Sequence, residues 1–431
     1  MKKHIGIIGY GVMSKNITIN LIKKKNIISI FNKEKIILSL KIYNIKIITN
    51  CLKKFLVSLP LLKIIFLLIK TGKPIKKIIL RLKYKLSKND IVIDFGNSFF
   101  KETFLNYKII NKKFIFVSSG ISGGCLGALN GLCCMISCLI KDYKKMFFLL
   151  KNIFFLKNKR FSCCISLGFA SSHYIKMIHN GIEYGILQLI SEIYFILKIF
   201  LIKKKKIINV LIKWNKTDFS CYLLKILLNI LLKKKVNIID IIDHKGTGSN
   251  TVLNSIKNNI NINSIFEALI IRIISKNIFL RNLIKNNIKI KIKIQLSIFF
   301  EILKNVFLYC KLLCYIQGFN QLIKISKKYN WKINFFNLIK TYLNSCIIDS
   351  NILFYLLNFK KNFFLLNIFL KCIKKFNLIK KFVLISIKLN FINFYISSCY
   401  NFLLIINYNN YNFKLIQFER NYFGNHILKF I

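Results

Sequence analysis

Ile5-Gly6-Ile7-Ile8-Gly9-Tyr10-Gly11-Val12-Met13-Ser14 is the stretch on which the fold turns. Ile5 to Ile8 reads as a short apolar strand, Gly9-Tyr10-Gly11 as a tight turn, and Val12 onward as a helix that carries Lys15 and Asn16. A second strand follows at Ile27 to Phe31. In that strand-helix-strand order a glycine turn lets backbone N–H groups at a helix N-terminus approach a pyrophosphate. Ser14 stands where G-x-G-x-x-G has its third glycine, so taken alone the match stands equally for an ordinary strand-to-helix turn.

Outward from this unit, strand-like runs at Ile64 to Ile69, Ile91 to Asp94 and Phe114 to Ser118 alternate with helical or loop segments, the pattern of a doubly wound parallel sheet. Near Ser171 the texture changes to long Lys-studded apolar segments with few turn signals, which continue to about Asn407 and predict an all-helical domain. The expected organisation is an α/β, doubly wound (Rossmann-like) domain over residues 1–170, a large all-α substrate and dimerisation domain over 171–407, and a short C-terminal tail over 408–431.

Composition narrows the function classes. The chain has 431 residues, 54% of them apolar, with 71 basic side chains against 14 acidic ones and a formal net charge of +57. A mean hydropathy of +0.48 excludes a disordered polyelectrolyte, which needs low hydrophobicity alongside its charge. Of the basic residues 66 are Lys and only 5 are Arg. A surface selected to read nucleic acid would rarely discard the bidentate guanidinium, so the charge reads as compositional background and no nucleic-acid partner is expected. Lys, Ile, Asn, Phe and Tyr, in excess together, all have A/T-rich codons, and the alternative is a polyanion-binding surface.

Thirteen cysteines, with no secretory signal after Lys2-Lys3, point to a reducing, cytoplasmic setting. The odd count, without repeated C-x-x-C or a nearby His pair, predicts neither a disulfide framework nor a metal site. The uncharged runs Phe114 to Ile140 and Leu389 to Phe413 exceed the ~20 residues of a spanning helix. Glycines (Gly120, Gly123, Gly124, Gly127, Gly131) interrupt the first and asparagines the second, so no membrane span is expected.

The segment from His173 to Gly185 carries the chemistry. With Lys176 as i, His179, Asn180, Glu183 and Tyr184 fall at i+3, i+4, i+7 and i+8, one face of a helix. A solvated face in this chain would hold Lys and Asn; this one holds a Lys, a His and one of only 14 carboxylates, which favours an acid–base site. Lys176 and Glu183 stand ~10 Å apart along the axis, so they can address opposite ends of a small substrate without neutralising each other. A desolvated Lys can act as base near neutral pH and a partly buried Glu as acid.

Lys176-Met177-Ile178-His179-Asn180-Gly181-Ile182-Glu183-Tyr184-Gly185 closely resembles the signature of decarboxylating 6-phosphogluconate dehydrogenases. The resemblance extends over Gly9 to Ser14, Phe31 to Lys33, Gly96 to Phe100, Ser122 to Gly124, Lys245 to Gly248, Tyr315 to Phe319 and Arg420 to His426. It implies NADP as cofactor, met by Gly9, Tyr10, Gly11, Val12, Met13 and Ser14 at the turn, Asn32, Lys33 and Glu34 at the adenosine ribose, and Ile69, Lys70 and Thr71 further along. Asn97 would lie between cofactor and substrate. The same resemblance gives Ser122, Gly123, Gly124, His179 and Asn180 to the sugar acid, and Tyr184, Lys245 and Arg272 to its phosphate. Arg420 and His426 would join them from the tail of the partner subunit in a homodimer.

The activity so implied is the NADP-dependent oxidative decarboxylation of 6-phosphogluconate to ribulose 5-phosphate and carbon dioxide, in the pentose phosphate pathway and gluconate utilization. Lys176 is the implied base and Glu183 the implied acid, with no metal. Departures from the family pattern include Lys33 for Arg, Glu34 close to where a 2′-phosphate would lie, Phe95 for Gly, Cys125 for an acidic residue, the Cys133 to Cys138 segment for a Pro-Gly-rich turn, and Asp349 for Arg. The chain also ends five residues after His426, from which a shortened tail is expected. Together these predict weaker NADP preference and modest stability. The rivals are a non-decarboxylating 3-hydroxyacid dehydrogenase and a degenerate dimeric scaffold without turnover; Glu183, Lys245, Arg272 and the Arg420 to His426 segment favour the phosphogluconate reading over the first.

Overall fold

The computed structural model describes residues 3–34, 44–150, 156–157, 160–201, 203–233, 238–243, 246–283, 295–357, 370–408, 412–424 and 426–427. Its first half is built on strands β1 (His4–Ile8), β2 (Ile27–Phe31), β3 (Ile45–Thr49), β4 (Ile64–Leu67), β5 (Ile91–Asp94), β6 (Ile115–Ser122) and β7 (Cys133–Cys138). A two-residue ribbon, β8 (Leu156–Lys157) with β9 (Arg160–Phe161), precedes the last strand, β10 (Cys163–Leu167). One sheet takes the order β10-β7-β6-β5-β4-β1-β2-β3. Strands β1 to β6 are parallel, with Gly6 of β1 beside Ile65 of β4.

Alternation along the strands divides the core. On β4, Ile65 and Leu67 join the side packed by α2 (Leu52–Ser58), α3 (Lys73–Lys83) and α4 (Phe100–Ile110). Ile64 and Phe66 join the side packed by α1 (Val12–Lys23), α5 (Gly124–Asn130) and α6 (Tyr143–Leu150). A strand buried on both faces needs apolar side chains at successive positions, which is why β4 reads Ile-Ile-Phe-Leu.

The sheet differs from a wholly parallel one at its far edge. Ser122 of β6 pairs with Cys133 of β7 in antiparallel register, and β10 runs parallel to β7. A parallel neighbour needs a crossover of roughly a dozen residues or more. The link from β6 to β7 holds only the short α5, so the chain turns back beside the strand it left. β6 also runs past the expected Ser118 to Ser122, while β4 stops at Leu67 rather than Ile69.

From Ser171 the described chain is helical: α7 (Ser171–Phe200), α8 (Lys204–Asn215), α9 (Tyr222–Leu232), α10 (Thr247–Lys257), α11 (Asn263–Ser275), α12 (Ile278–Leu283), α13 (Leu296–Lys328), α14 (Phe335–Ser345) and four later helices ending with Phe413–Gly424. α7 is buried around most of its circumference, the mark of a core helix rather than a surface one. It packs on α13, α10 and α11 on one side and on β6 and β7 on the other. Gly120 of β6 makes that second contact, since a Cβ there would lie 2.5 Å from the Cβ of Lys176. Among the described residues no helix is long and apolar enough to cross a membrane.

Candidate active site

The glycine turn has the geometry that its sequence requires. Gly9 has φ +97°, and a Cβ on it would stand 2.5 Å from the carbonyl oxygen of Leu68, so only glycine fits without strain. Ser14 donates its hydroxyl to the Gly9 carbonyl at 2.6 Å and so closes the turn from the place of the third glycine. No side chain caps α1 at Gly11, and the space around that residue is open. Uncapped N–H groups at a helix N-terminus suit a phosphate. Tyr10 donates its backbone N–H to Oδ1 of Asn32 at 3.2 Å, which ties the turn to the end of β2. Lys33, Glu34, Lys70 and Thr71 are exposed along the ends of β2 and β4, with Ile69 half-buried between. These loops follow the C-terminal ends of parallel strands, where ligands of open α/β sheets sit. A dinucleotide therefore fits the residues present, with Gly9 to Ser14 at its pyrophosphate.

The next loop joins this cleft to α7. Asp94, at the end of β5, accepts from the Gly96 N–H at 2.9 Å and from the Ser98 hydroxyl at 2.7 Å, which fixes the turn bearing Asn97. His173 of α7 braces the same turn: its Nε2 lies 4.0 Å from Oδ2 of Asp94, and its Nδ1 is 2.7 Å from Oγ1 of Thr103. Burial lowers the His173 pKa, and Asp94 acts against that shift. Asn97, Lys176, Met177, Thr247 and Asn250 line one cavity with this turn.

Lys176 lies one helical turn further along α7, 6% exposed. Its Nζ is 3.2 Å from Nδ1 of His179, which is itself 3.1 Å from Oδ1 of Asn180. Burial lowers the Lys176 pKa, with Glu183 opposing. Glu183 places its carboxylate 3.8 Å from Nδ1 of His179, so the imidazole stands between the two groups assigned as base and acid. The other imidazole nitrogen, Nε2, is 2.9 Å from Oγ of Ser122 and 2.8 Å from Sγ of Cys346. Ser122 is the last residue of β6, and Gly123 and Gly124 follow it at the N-terminus of α5 with φ +103° and +61°.

A third group assembles around the N-terminus of α10. Asn180 donates its amide to Oγ1 of Thr247 at 3.1 Å, and Tyr184 packs on Gly248. The Arg272 guanidinium, 8% exposed on α11, lies 3.8 Å from the centroid of the Tyr184 ring. An arginine stacked on an aromatic face keeps its outer N–H groups for an anion. Lys245 lies outside the described residues. Arg420 and His426 are exposed and contact only their own segment among the described hydrogen bonds: Arg420 donates to Gln417 at 3.4 Å, and the His426 carbonyl accepts from Asn421 at 2.7 Å. The chain's own fold thus gathers the α7 stripe, Ser122, Asn97, Tyr184 and Arg272, and leaves the tail apart.

Three neighbours receive no role from the sequence. His173 precedes Lys176 by three residues, so the i−3 spacing would have found it on the same face. Thr247 lies within the quoted Lys245 to Gly248 motif. Cys346 is separated from His179 by 167 positions and carried no signal. No group of three or more His, Cys, Asp or Glu residues placed to hold a metal ion occurs among the described residues.

Comparison with known proteins agrees with this geometry at both halves. Residues 4–163 match the model of the NAD binding domain of 6-phosphogluconate dehydrogenase, and residues 172–431 that of the 6-phosphogluconate dehydrogenase C-terminal domain. The decarboxylating 6-phosphogluconate dehydrogenase of Buchnera aphidicola subsp. Schizaphis graminum is 33% identical over 82% of this chain and 79% of its own length. The Escherichia coli protein of the same name is 29% identical over the same shares. A solved structure of Plasmodium falciparum 6-phosphogluconate dehydrogenase, studied apo, with NADP+ and with 6-phosphogluconate, superposes with a TM-score of 0.89 at 29% identity, covering 99% of this chain and 98% of that one. From its two domains and from these relatives, the chain belongs to the 6-phosphogluconate dehydrogenase family.

Proposed function

We propose that this protein oxidises and decarboxylates 6-phosphogluconate to ribulose 5-phosphate with NADP as acceptor, in the pentose phosphate pathway. One observation carries the reading: a buried lysine whose burial favours the neutral amine, with Glu183 two turns along the same helix face and the Asn97 turn beside it. Lys176 takes the proton from the 3-hydroxyl. The glycine turn, Gly9 to Ser14, would hold NADP, which would supply the acceptor for the hydride of carbon 3. The β-keto acid then loses carbon dioxide, because the electron pair left behind delocalises onto the keto oxygen. Lys176, now an ammonium, protonates that oxygen to give the enediol. Glu183 delivers a proton to carbon 1 as the enediol's hydroxyl proton returns to the Lys176 amine, completing the ketose.

The remaining contacts supply position. Ser122 and Asn180 orient the sugar acid with His179, and Tyr184, Arg272, Lys245 and the N-terminus of α10 hold its phosphate. Arg420 and His426 complete the phosphate site of a second copy in a cytoplasmic homodimer. The helix Phe413–Gly424 supports this part, since it has no buried residue and exposes Phe418 at 56% and Phe423 at 76%. A helix with so much uncovered apolar surface needs a partner.

A non-decarboxylating 3-hydroxyacid dehydrogenase needs the base and the cofactor but neither the acid at Glu183 nor the Arg272 phosphate group. Turnover of 6-phosphogluconate and of 3-hydroxyisobutyrate by the purified protein separates the two. Activity confined to 6-phosphogluconate is expected; equal or better activity on 3-hydroxyisobutyrate would overturn the assignment.

A further inference from the structure

Cys346 and Cys133 lie side by side at the back of the site. Cys346 follows α14, and its Sγ is 2.8 Å from Nε2 of His179 and 3.2 Å from Oγ of Ser122. Cys133 opens β7 directly opposite Ser122, donates to the Thr341 carbonyl of α14 at 3.6 Å and lies against the Cys346 thiol. The Cys346 segment is pinned from both sides, the Ile347 N–H donating to Ser122 Oγ at 3.2 Å and the Tyr315 hydroxyl to the Ile348 carbonyl at 2.5 Å. Both thiols are at most 2% exposed. Lys176 lines the cavity at the Asn97 turn, and His179, 3.2 Å from its Nζ, stands between that cavity and Cys346.

We propose that Cys133 and Cys346 form a peroxide-sensitive thiol pair whose oxidation to a disulfide switches the neighbouring site off. Burial pushes the Cys346 thiol up, but the neighbouring Cys133 thiol and the His179 hydrogen bond outweigh it and hold this thiol below its ordinary pKa. Its partner moves the opposite way, because the contact with Cys346 and then burial raise Cys133 well above the ordinary value. Cys346, whose Sγ meets the His179 imidazole and the Ser122 hydroxyl, is placed as the nucleophile, and Cys133 behind it as the resolving thiol.

The Cys346 thiolate attacks a peroxide oxygen: the S–O bond forms, the O–O bond breaks, and the departing hydroxide takes a proton to leave as water. The Cys133 sulfur then attacks the resulting sulfenic acid; the S–S bond forms, the S–O bond breaks, and the hydroxide leaves as water with the Cys133 proton. In sum two thiols are oxidised and one hydrogen peroxide is reduced to two waters. Formation of the disulfide takes Sγ of Cys346 from His179 Nε2 and disturbs the Ser122 contact, while reduction by a dithiol restores both.

The loss of activity rests on the proposed dehydrogenase reading, whereas formation of the bond does not. The test treats the full chain with hydrogen peroxide, then maps alkylated and disulfide-linked peptides by mass spectrometry and assays turnover in parallel. A Cys133–Cys346 linked peptide is expected, with turnover down about tenfold or more and recovered by dithiothreitol. Cys133→Ser, with its folding checked by circular dichroism, should keep turnover near wild type before peroxide and lose dithiothreitol recovery after it. Both thiols still alkylatable after treatment, or oxidation confined to Cys51 or Cys125, would overturn the proposal whether or not the protein turns over 6-phosphogluconate. A linked peptide with unchanged turnover in an active protein would overturn the switch.

Discussion

Lys176 and Glu183 have different tasks in the proposed chemistry, and single substitutions separate them. Lys176→Met removes the base that starts hydride transfer, so NADPH formation should fall by about 10²–10⁴-fold or more, even within a single turnover. Glu183→Gln should leave the first hydride transfer near wild type and slow steady-state release of ribulose 5-phosphate, seen as a burst of NADPH followed by a slow phase. Equal loss of the burst in both variants would contradict the division of roles. The acid limb of kcat follows from the same lysine. Burial lowers its pKa, so the neutral amine persists to lower pH than an ordinary lysine allows, and activity falls as that lowered pKa is crossed downward. Both groups approach one nitrogen of His179, Lys176 at 3.2 Å and the Glu183 carboxylate at 3.8 Å.

Among the helices, α7 bears the site at one end and a buried carboxylate further along. Glu192 is 3% exposed and accepts the backbone N–H groups of Tyr395 at 2.8 Å and Ile396 at 3.3 Å, at the start of the helix Phe394–Asn407. Burial raises its pKa to about 7, against the pull of those hydrogen bonds. An unfolded glutamate titrates near ~4.3, so between there and about 7 the native state binds the extra proton. Its contribution to stability is therefore full below that window and is lost as pH rises through it, on the order of 3–4 kcal/mol. Urea unfolding of wild type and Glu192→Gln across this range should show the variant with the flatter dependence, because an amide oxygen still accepts from the backbone without titrating. Parallel pH profiles would contradict this.

The legibility of these elements has a physical pattern. The Gly9 turn was readable because a positive φ demands glycine, and the α7 stripe because helical spacing puts distant letters on one face. β3 was hidden by Lys46 and by a short edge strand's weak pattern. β7 and β10 read as cysteine pairs, since Cys133-Cys134 and Cys163-Cys164 are strand residues only in the company of the sheet. The Cys346 contact was beyond reach because it forms only when α14 closes over β7, across 167 positions of chain.

At the scale of the whole molecule, the proposed function uses only a few of the cations behind the net charge of +57, namely Lys33, Lys176, Lys245, Arg272 and Arg420, and like charges elsewhere on the chain repel one another. The exposed Phe413–Gly424 helix makes the site a property of two chains if Arg420 serves a partner. Lys176→Met and Arg420→Ala proteins, each weakly active alone, should then complement when unfolded and refolded together. Heterodimers hold one intact site of two, so an equal mixture should regain about a quarter of wild-type turnover. No gain on mixing, with dimers present by analytical ultracentrifugation, would place Arg420 outside the partner's site. The central claim is a coupled oxidation and decarboxylation, and the direct measurement is simultaneous detection of NADPH and carbon dioxide from 6-phosphogluconate by the purified wild-type protein. Equal amounts of the two products, rising together, are expected; a folded protein that yields NADPH without carbon dioxide, or neither product, would contradict it.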